Sequence, residues 1–153
     1  MRLDREWISA RIPHAGRMCL LDEVLDWSAD GIRCRSGTHR RADNPLRAYD
    51  RLGGACAIEY AAQAIAVHGA LVAPAAGRAA RSGYLASLRD VTLGALRLDD
   101  IDADLICEAN RIAGDGATVL YEFSVAADGA AAARPPLASG RAAIVLHGER
   151  RFG

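Results

Sequence analysis

The chain contains no lysine: all 19 of its basic residues are arginine, and 19 acidic residues balance them to a formal net charge of zero. This balance argues against a general nucleic-acid binder. Aromatic residues make up only 5% of the 153 residues. No stretch reaches the roughly 18–20 unbroken apolar residues of a membrane span, and the charged N-terminus leads into no apolar signal core. We therefore expect a cytoplasmic protein with neither a membrane nor a nucleic acid as its partner.

Motifs for metal binding and redox chemistry are also missing. The four cysteines lie far apart and form no Cys-x-x-Cys pair; they are Cys19, Cys34, Cys56 and Cys107. No two histidines have the spacing of metal ligands on one helix face. We expect reduced cysteines that pack as small core residues, and no metal site.

One long apolar segment dominates the pattern of a chain whose length suits a single domain over residues 1–153. Residues 55–72 are rich in alanine, a strong helix former, and apolar on nearly every face, which is typical of an enclosed helix. Residues 7–12 are predicted to form a short turn or helix. Two strand-like stretches, residues 18–27 and 32–36, precede the long segment and about four follow it, two of which flank the hairpin signal at residues 114–116. This order predicts an α+β hotdog fold, in which an antiparallel sheet of five or six strands wraps one long helix.

Glu59 is the anomaly of the predicted helix because its neighbours are almost all apolar. A carboxylate removed from water without a partner is costly or has its pKa raised. Gln63 follows four residues later on the same stripe. Two interpretations stay open: the stripe meets solvent and does nothing, or Glu59 is a general acid or base in an apolar tunnel, with Gln63 beside the substrate.

The start of this helix offers a second candidate feature. Gly53 and Gly54 allow a ligand to approach the backbone closely. The free N–H groups of a first helical turn can polarise a carbonyl oxygen or hold an oxyanion. We therefore predict that both glycines bind substrate, although a Gly-Gly pair also serves as plain loop closure.

His39 is the histidine that we expect to act as a proton acceptor, because it precedes the loop that leads to the helix. His68 lies about half a helical rotation from Glu59, which favours a structural, hydrogen-bonded role. His14 and His147, in a turn and near the C-terminus, are expected to have no catalytic role.

Positive charge is concentrated between residues 33 and 51. This excess is either a solvated surface or a docking patch for an acidic partner or a phosphate-bearing arm. The residues assigned to carrier docking are Arg40, Arg41, Arg47 and Arg51.

Two segments resemble the hotdog 3-hydroxyacyl-acyl-carrier-protein dehydratases. Residues 12–24 contain Pro-His, a short linker and an apolar run that ends in Asp-x-Val. Residues 54–64 contain a glycine, an acid five residues later and then Ala-Gln. Together with residues 43–47 and 66–69, the pattern is similar to the dehydratase-like branch found with aryl-polyene-type clusters.

The resemblance implies dehydration of a 3-hydroxyacyl thioester carried by an acyl carrier protein. His39 would remove the proton next to the carbonyl, Glu59, neutral by burial, would protonate the departing hydroxyl, and the Gly54 N–H would hold the thioester oxygen. No cofactor is implied beyond the carrier's phosphopantetheine arm. Paired subunits would build each tunnel, as a homodimer or as a heterodimer with a related hotdog subunit.

One departure from the family keeps other functions open. The family histidine stands two residues before a proline, but Asp43 occupies that position before Pro45. Either the loop brings His39 into the role, or the base has been lost. The alternatives are a hotdog thioesterase, in which Glu59 activates water, and a non-catalytic partner subunit of an active dehydratase.

Overall fold

The computed structural model describes residues 2–14, 16–131 and 133–147. In chain order its elements are helix α1 (Arg5–Ser9), strands β1 (Glu23–Trp27) and β2 (Gly31–Ser36), helix α2 (Ala57–Ala75), and strands β3 (Gly83–Leu93), β4 (Leu105–Gly114), β5 (Thr118–Ala127) and β6 (Ala138–Leu146). Short 3₁₀ turns precede β1, follow β2 and lead into α2. The predicted hotdog architecture, with six strands and one long helix, is confirmed.

The six strands form one antiparallel sheet in the order β1-β2-β4-β5-β6-β3. The predicted hairpin at residues 114–116 joins β4 to β5, where Gly116 adopts φ +89°. That backbone conformation is easy for glycine and strained for other residues. Strand β3 crosses over to pair with β6, so β1 and β3 form the two edges of the described sheet.

Helix α2 packs against β2, β4 and β5, and the residues it buries include Tyr60, Ala64 and Val67. Small alanines on this helix let the sheet approach closely. The helix continues past the predicted end at Val72, because Pro74 lies in the last turn and removes only one N–H donor there. Gly54–Ala75 is long and apolar enough to cross a membrane by length and composition alone. These are also the properties of a helix that a sheet encloses.

The N-terminal segment differs from its prediction. A first strand was expected within residues 18–27, but β1 begins only at Glu23, and the short helix lies at Arg5–Ser9 rather than residues 7–12. Residues 19–21 instead run as a buried, irregular segment across α2. Gln63 holds this segment, since its side-chain oxygen accepts a hydrogen bond from the Leu20 amide at 2.8 Å.

Strand β3 is exposed along its whole length. Its large apolar side chains are Tyr84, Leu85, Leu88, Val91 and Leu93. An edge strand with unpaired backbone groups and an apolar surface is a ready template for pairing with another chain.

Candidate active site

His14 and Glu59 meet at the N-terminal part of α2. Nε2 of His14 lies 3.0 Å from Oε1 of Glu59. The side chains remain 26% and 35% exposed, respectively, so both groups are accessible to a ligand. The histidine for which we expect no catalytic role thus lies beside Glu59, and Glu59 is partly exposed rather than enclosed.

Gln63 connects Glu59 to the segment that follows His14. Its side-chain nitrogen donates to the Met18 carbonyl at 2.7 Å, and its oxygen accepts from Leu20, so it ties the segment that follows His14 to α2. The same nitrogen lies 3.4 Å from Oε1 of Glu59. The side chain is completely buried and its contacts are made to protein groups. Gln63 is thus a positioning residue, which corrects its predicted role in substrate binding.

The pair opens onto a cavity of about 500 Å³. One wall is α2, with Glu59, Ala62 and Ala66, and the opposite wall is the start of β3, with Tyr84 and Leu85. The walls between the polar groups are largely apolar. A carboxyl group and an imidazole in contact at such a cavity can remove one proton from a bound substrate and deliver another.

His39 does not take part in this arrangement. It is completely buried, its Nε2 donates to the Ile101 carbonyl at 3.0 Å, and it is absent from the cavity wall. Burial lowers the pKa of His39. Within one chain, Glu59 therefore pairs with His14 and not with His39. The role of His39 as the base stays a prediction.

Gly54 is a glycine for steric reasons. Its N–H donates to the Leu96 carbonyl at 2.9 Å, so that donor is not available for a thioester oxygen. A Cβ at this position would collide with the Ala95 carbonyl oxygen. Gly53 forms a bridge with Arg97 and, like Gly54, does not line the cavity. Neither glycine contacts the cavity within this chain, and Gly54 serves the close packing of two backbone segments.

His68 has the structural role that its sequence position suggested. Its Nε2 donates to the Ser28 carbonyl at 2.8 Å, and its Nδ1 lies 2.7 Å from the Tyr121 hydroxyl. Because Nε2 carries the proton of the neutral ring, Nδ1 accepts from Tyr121. Burial lowers the pKa of His68.

The sequence profile of the ApeP-like family, described as ApeP dehydratase, matches residues 7–142 of the chain. The chain belongs to the ApeP-like dehydratase family. This family assignment makes the protein dehydratase-like, as the motifs of its first and central segments predicted. No curated protein sequence matches the chain.

Solved structures share the fold of this ApeP-like protein. The dehydratase heterocomplex ApeI:P from Xenorhabdus doucetiae matches with a TM-score of 0.77 at 22% identity, covering 93% of this chain and 91% of that chain. A thioesterase with coenzyme A from Streptococcus pneumoniae matches with a TM-score of 0.55 at 12% identity, covering 84% and 88%. Zebrafish thioesterase superfamily member 2 matches with a TM-score of 0.59 at 13% identity, covering 94% and 95%.

The predicted docking arginines of the ApeP-like chain lie around the turn after β2. Arg40 bonds to the carboxylate of Asp104, and Arg47 donates to the Asp50 carbonyl. Arg41 and Arg51 are exposed. We call these four residues the carrier surface. Within residues 2–14, 16–131 and 133–147, no three histidine, cysteine or acidic side chains cluster closely enough to hold a metal ion.

The Pro-His dipeptide at residues 13 and 14 was the signal for His14. It belongs to the motif on which the family resemblance rests. Because His14 and Glu59 lie far apart in the sequence, their contact could not be predicted from spacing.

Proposed function

We propose that this ApeP-like chain dehydrates 3-hydroxyacyl thioesters presented by an acyl carrier protein, and that His14 and Glu59 move the protons. The observation that carries this proposal is the 3.0 Å contact between the imidazole and the carboxyl group at a largely apolar cavity. An elimination of water needs one group that accepts a proton and one that donates a proton, and the pair supplies both.

In the proposed reaction, one proton is shared between Nε2 of His14 and Oε1 of Glu59. The imidazole takes a proton from the carbon next to the thioester carbonyl, because it is the better acceptor near neutral pH. The Glu59 carboxyl gives the shared proton to the hydroxyl as the carbon–oxygen bond breaks and the double bond forms. The proton gained by His14 then passes to Glu59, so the products are an enoyl thioester and water.

A second hotdog subunit is the partner that we propose for the exposed β3 edge. Tyr84 and Leu85 belong both to this edge and to the wall of the cavity that holds His14 and Glu59. A chain paired along β3 would therefore also cover the site. The partner is a second copy of this chain or a related hotdog subunit.

The carrier surface is the proposed docking site of the acyl carrier protein. Exposed arginines complement an acidic partner and also match phosphate geometry. The reaction that we propose needs no cofactor, and the phosphopantetheine arm of the carrier serves as the handle of the substrate.

The decisive experiment compares wild type with His14→Asn and Glu59→Gln, using a 3-hydroxyacyl pantetheine thioester and mass spectrometry of the products. We expect enoyl thioester from wild type and a loss of about 10²-fold or more in each variant. His147→Gln is the matched control, because its side chain is outside the cavity wall, and it should keep wild-type turnover.

The products also distinguish a dehydratase from a thioesterase and from a non-catalytic subunit. Release of free acid that depends on Glu59 would instead identify a thioesterase. Full activity of both variants, or no conversion by the chain alone and with a related hotdog subunit, would contradict catalysis by this pair and favour a non-catalytic subunit.

A further inference from the structure

A second cavity of about 580 Å³ continues from the first along α2 toward its C-terminal end. The two cavities share Gly69, Arg81, Val119 and Tyr121 in their walls. The first contains Glu59, and the second reaches Val72 and Ala73. At a rise of 1.5 Å per residue, the distance from Glu59 to Val72 along the helix is about 20 Å. A long acyl chain bound at His14 and Glu59 would enter this second cavity.

Arginines line the far cavity, and no acidic side chain is found among the described residues of its wall. Arg78, Arg81 and Arg111 are the three guanidinium groups. Arg81 donates to the backbone carbonyls of His147 and Gly116, and these hydrogen bonds fix the position of its guanidinium group. Within the described residues, the guanidinium groups of Arg78 and Arg111 form neither a salt bridge nor a hydrogen bond to protein. Arg111 is half-buried, which strengthens its attraction for an anion.

The other polar groups of this wall do not neutralise the arginines. The Tyr121 hydroxyl donates to His68, and burial raises the pKa of Tyr121 to about 12, so the phenol stays neutral. Burial lowers the pKa of His68, which favours a neutral imidazole. The carbonyl end of α2 contributes a partial negative charge and no unit charge. An anionic ligand is therefore the chemical complement of this cavity.

The carrier surface and the arginine cavity lie at opposite ends of β4. Leu105 at the start of β4 pairs with Ser36, close to Arg40, whereas Gly114 at its end precedes Gly116 of the cavity wall. Ten residues of strand span about 33 Å. A pantetheine arm that enters beside the carrier surface leaves its phosphate at that end, so the part of the substrate that reaches the arginines is the end of the acyl chain.

We infer that Arg78 and Arg111 bind a carboxylate at the far end of the acyl chain, so that the substrates of this site are ω-carboxylated 3-hydroxyacyl thioesters. The inference rests on the proposed function, because it takes His14 and Glu59 as the reacting end of the cavity. Gly69 and Val119 give the shared wall apolar surface for the chain beside Arg81 and Tyr121, while the guanidinium groups of Arg78 and Arg111 supply charge-assisted hydrogen bonds to the carboxylate.

A binding experiment tests the anion site without requiring turnover. Isothermal titration compares decanoic acid with decanamide, which has the same chain and a neutral end. We expect the acid to bind wild type about tenfold more tightly, the size of one good charge-assisted contact. The preference should vanish in the double variant Arg78→Gln/Arg111→Gln. It should persist in Arg134→Gln, an exposed arginine outside the cavity.

A kinetic experiment identifies which anionic group of the substrate the arginines bind, the ω-carboxylate or the phosphate of the pantetheine arm. Methyl-terminated and ω-carboxylated 3-hydroxyacyl pantetheine thioesters are compared over a series of chain lengths, and again with phosphopantetheine as the handle. We expect kcat/KM to favour the ω-carboxylate about tenfold at one chain length. The double arginine variant should lose this preference while retaining turnover of the methyl-terminated substrate.

Equal binding of acid and amide, or a preference that the arginine variants retain, would overturn the anion site. A preference for phosphopantetheine that depends on the arginines, without any preference for the ω-carboxylate, would overturn the assignment to the acyl end. Absence of turnover with every thioester would contradict the proposed function, and the titration would still decide whether the anion site exists.

Discussion

Oε1 of Glu59 lies 3.0 Å from Nε2 of His14 and accepts a second contact from the side-chain nitrogen of Gln63, at 3.4 Å. Gln63 also holds the backbone of Met18 and Leu20, so one buried amide connects α2 to the segment that follows His14. The contact between His14 and Glu59 thus joins a segment that precedes β1 to a helix that follows β2.

His14 and Glu59 should behave as one catalytic unit. The double variant His14→Asn/Glu59→Gln should lose no more kcat/KM than the more damaging single variant, because removal of either partner already breaks the proton transfer. Steady-state kinetics with a 3-hydroxyacyl pantetheine thioester provide the measurement. Losses that multiply in the double variant would show that the two residues act independently.

Gly54→Ala should destabilise the fold by about 1–3 kcal/mol, since the added methyl group collides with the Ala95 carbonyl. Gly53→Ala is the matched control, because a Cβ there meets no atom within 4 Å. Urea unfolding followed by circular dichroism measures both free energies of unfolding. Equal stability of the two variants would mean that the Ala95 backbone moves aside without cost.

Gln63→Leu should lower the free energy of unfolding by about 1–3 kcal/mol, since it leaves the Leu20 amide and the Met18 carbonyl without their partner. It should also reduce turnover, because the segment that follows His14 is released from α2. Gln63→Glu keeps the acceptor for Leu20 and loses the donor to Met18, so we expect an intermediate stability. A stable Gln63→Leu variant with wild-type turnover would exclude the positioning role.

Stability should fall as the pH is lowered through about 6.5, the ordinary pKa of histidine. Burial lowers the pKa of both His39 and His68, so the unfolded chain binds protons that the folded chain does not. Each histidine contributes up to about 1.4 kcal/mol per pH unit to this slope. Urea unfolding between pH 8 and 5 should show a shallower slope for His39→Gln/His68→Gln than for wild type. An unchanged slope would assign the pH dependence to other groups.

Leu88→Arg should weaken assembly through the β3 edge, because it places a charge in the middle of the exposed apolar strand. Size-exclusion chromatography with light scattering measures the mass, alone and with a related hotdog subunit. Ile112→Arg is the control, since Ile112 is a comparably exposed apolar residue on β4. If the assembly survives Leu88→Arg and dissociates with Ile112→Arg, the interface is not formed by β3.

Local patterns in the sequence were sufficient to predict the main elements. The alanine-rich run predicted α2 to within a few residues, and the Gly-Asp-Gly signal predicted the β4–β5 hairpin, because both depend on backbone preferences of neighbouring residues. The first strand is shorter than predicted, because the buried segment before Glu23 is held by Gln63 and by the hydroxyls of Ser36 and Thr38 rather than by strand pairing.

The sequence alone determined the hotdog fold and singled out Glu59, since an acidic residue stands out within an apolar helix. Only the tertiary structure decided which imidazole meets it. His39 is nearer to Glu59 along the chain, but it is buried against Ile101, and the Pro-His segment comes to the helix instead. The physical reason is that such a contact depends on how distant segments pack, and the spacing of residues along the chain does not encode that packing.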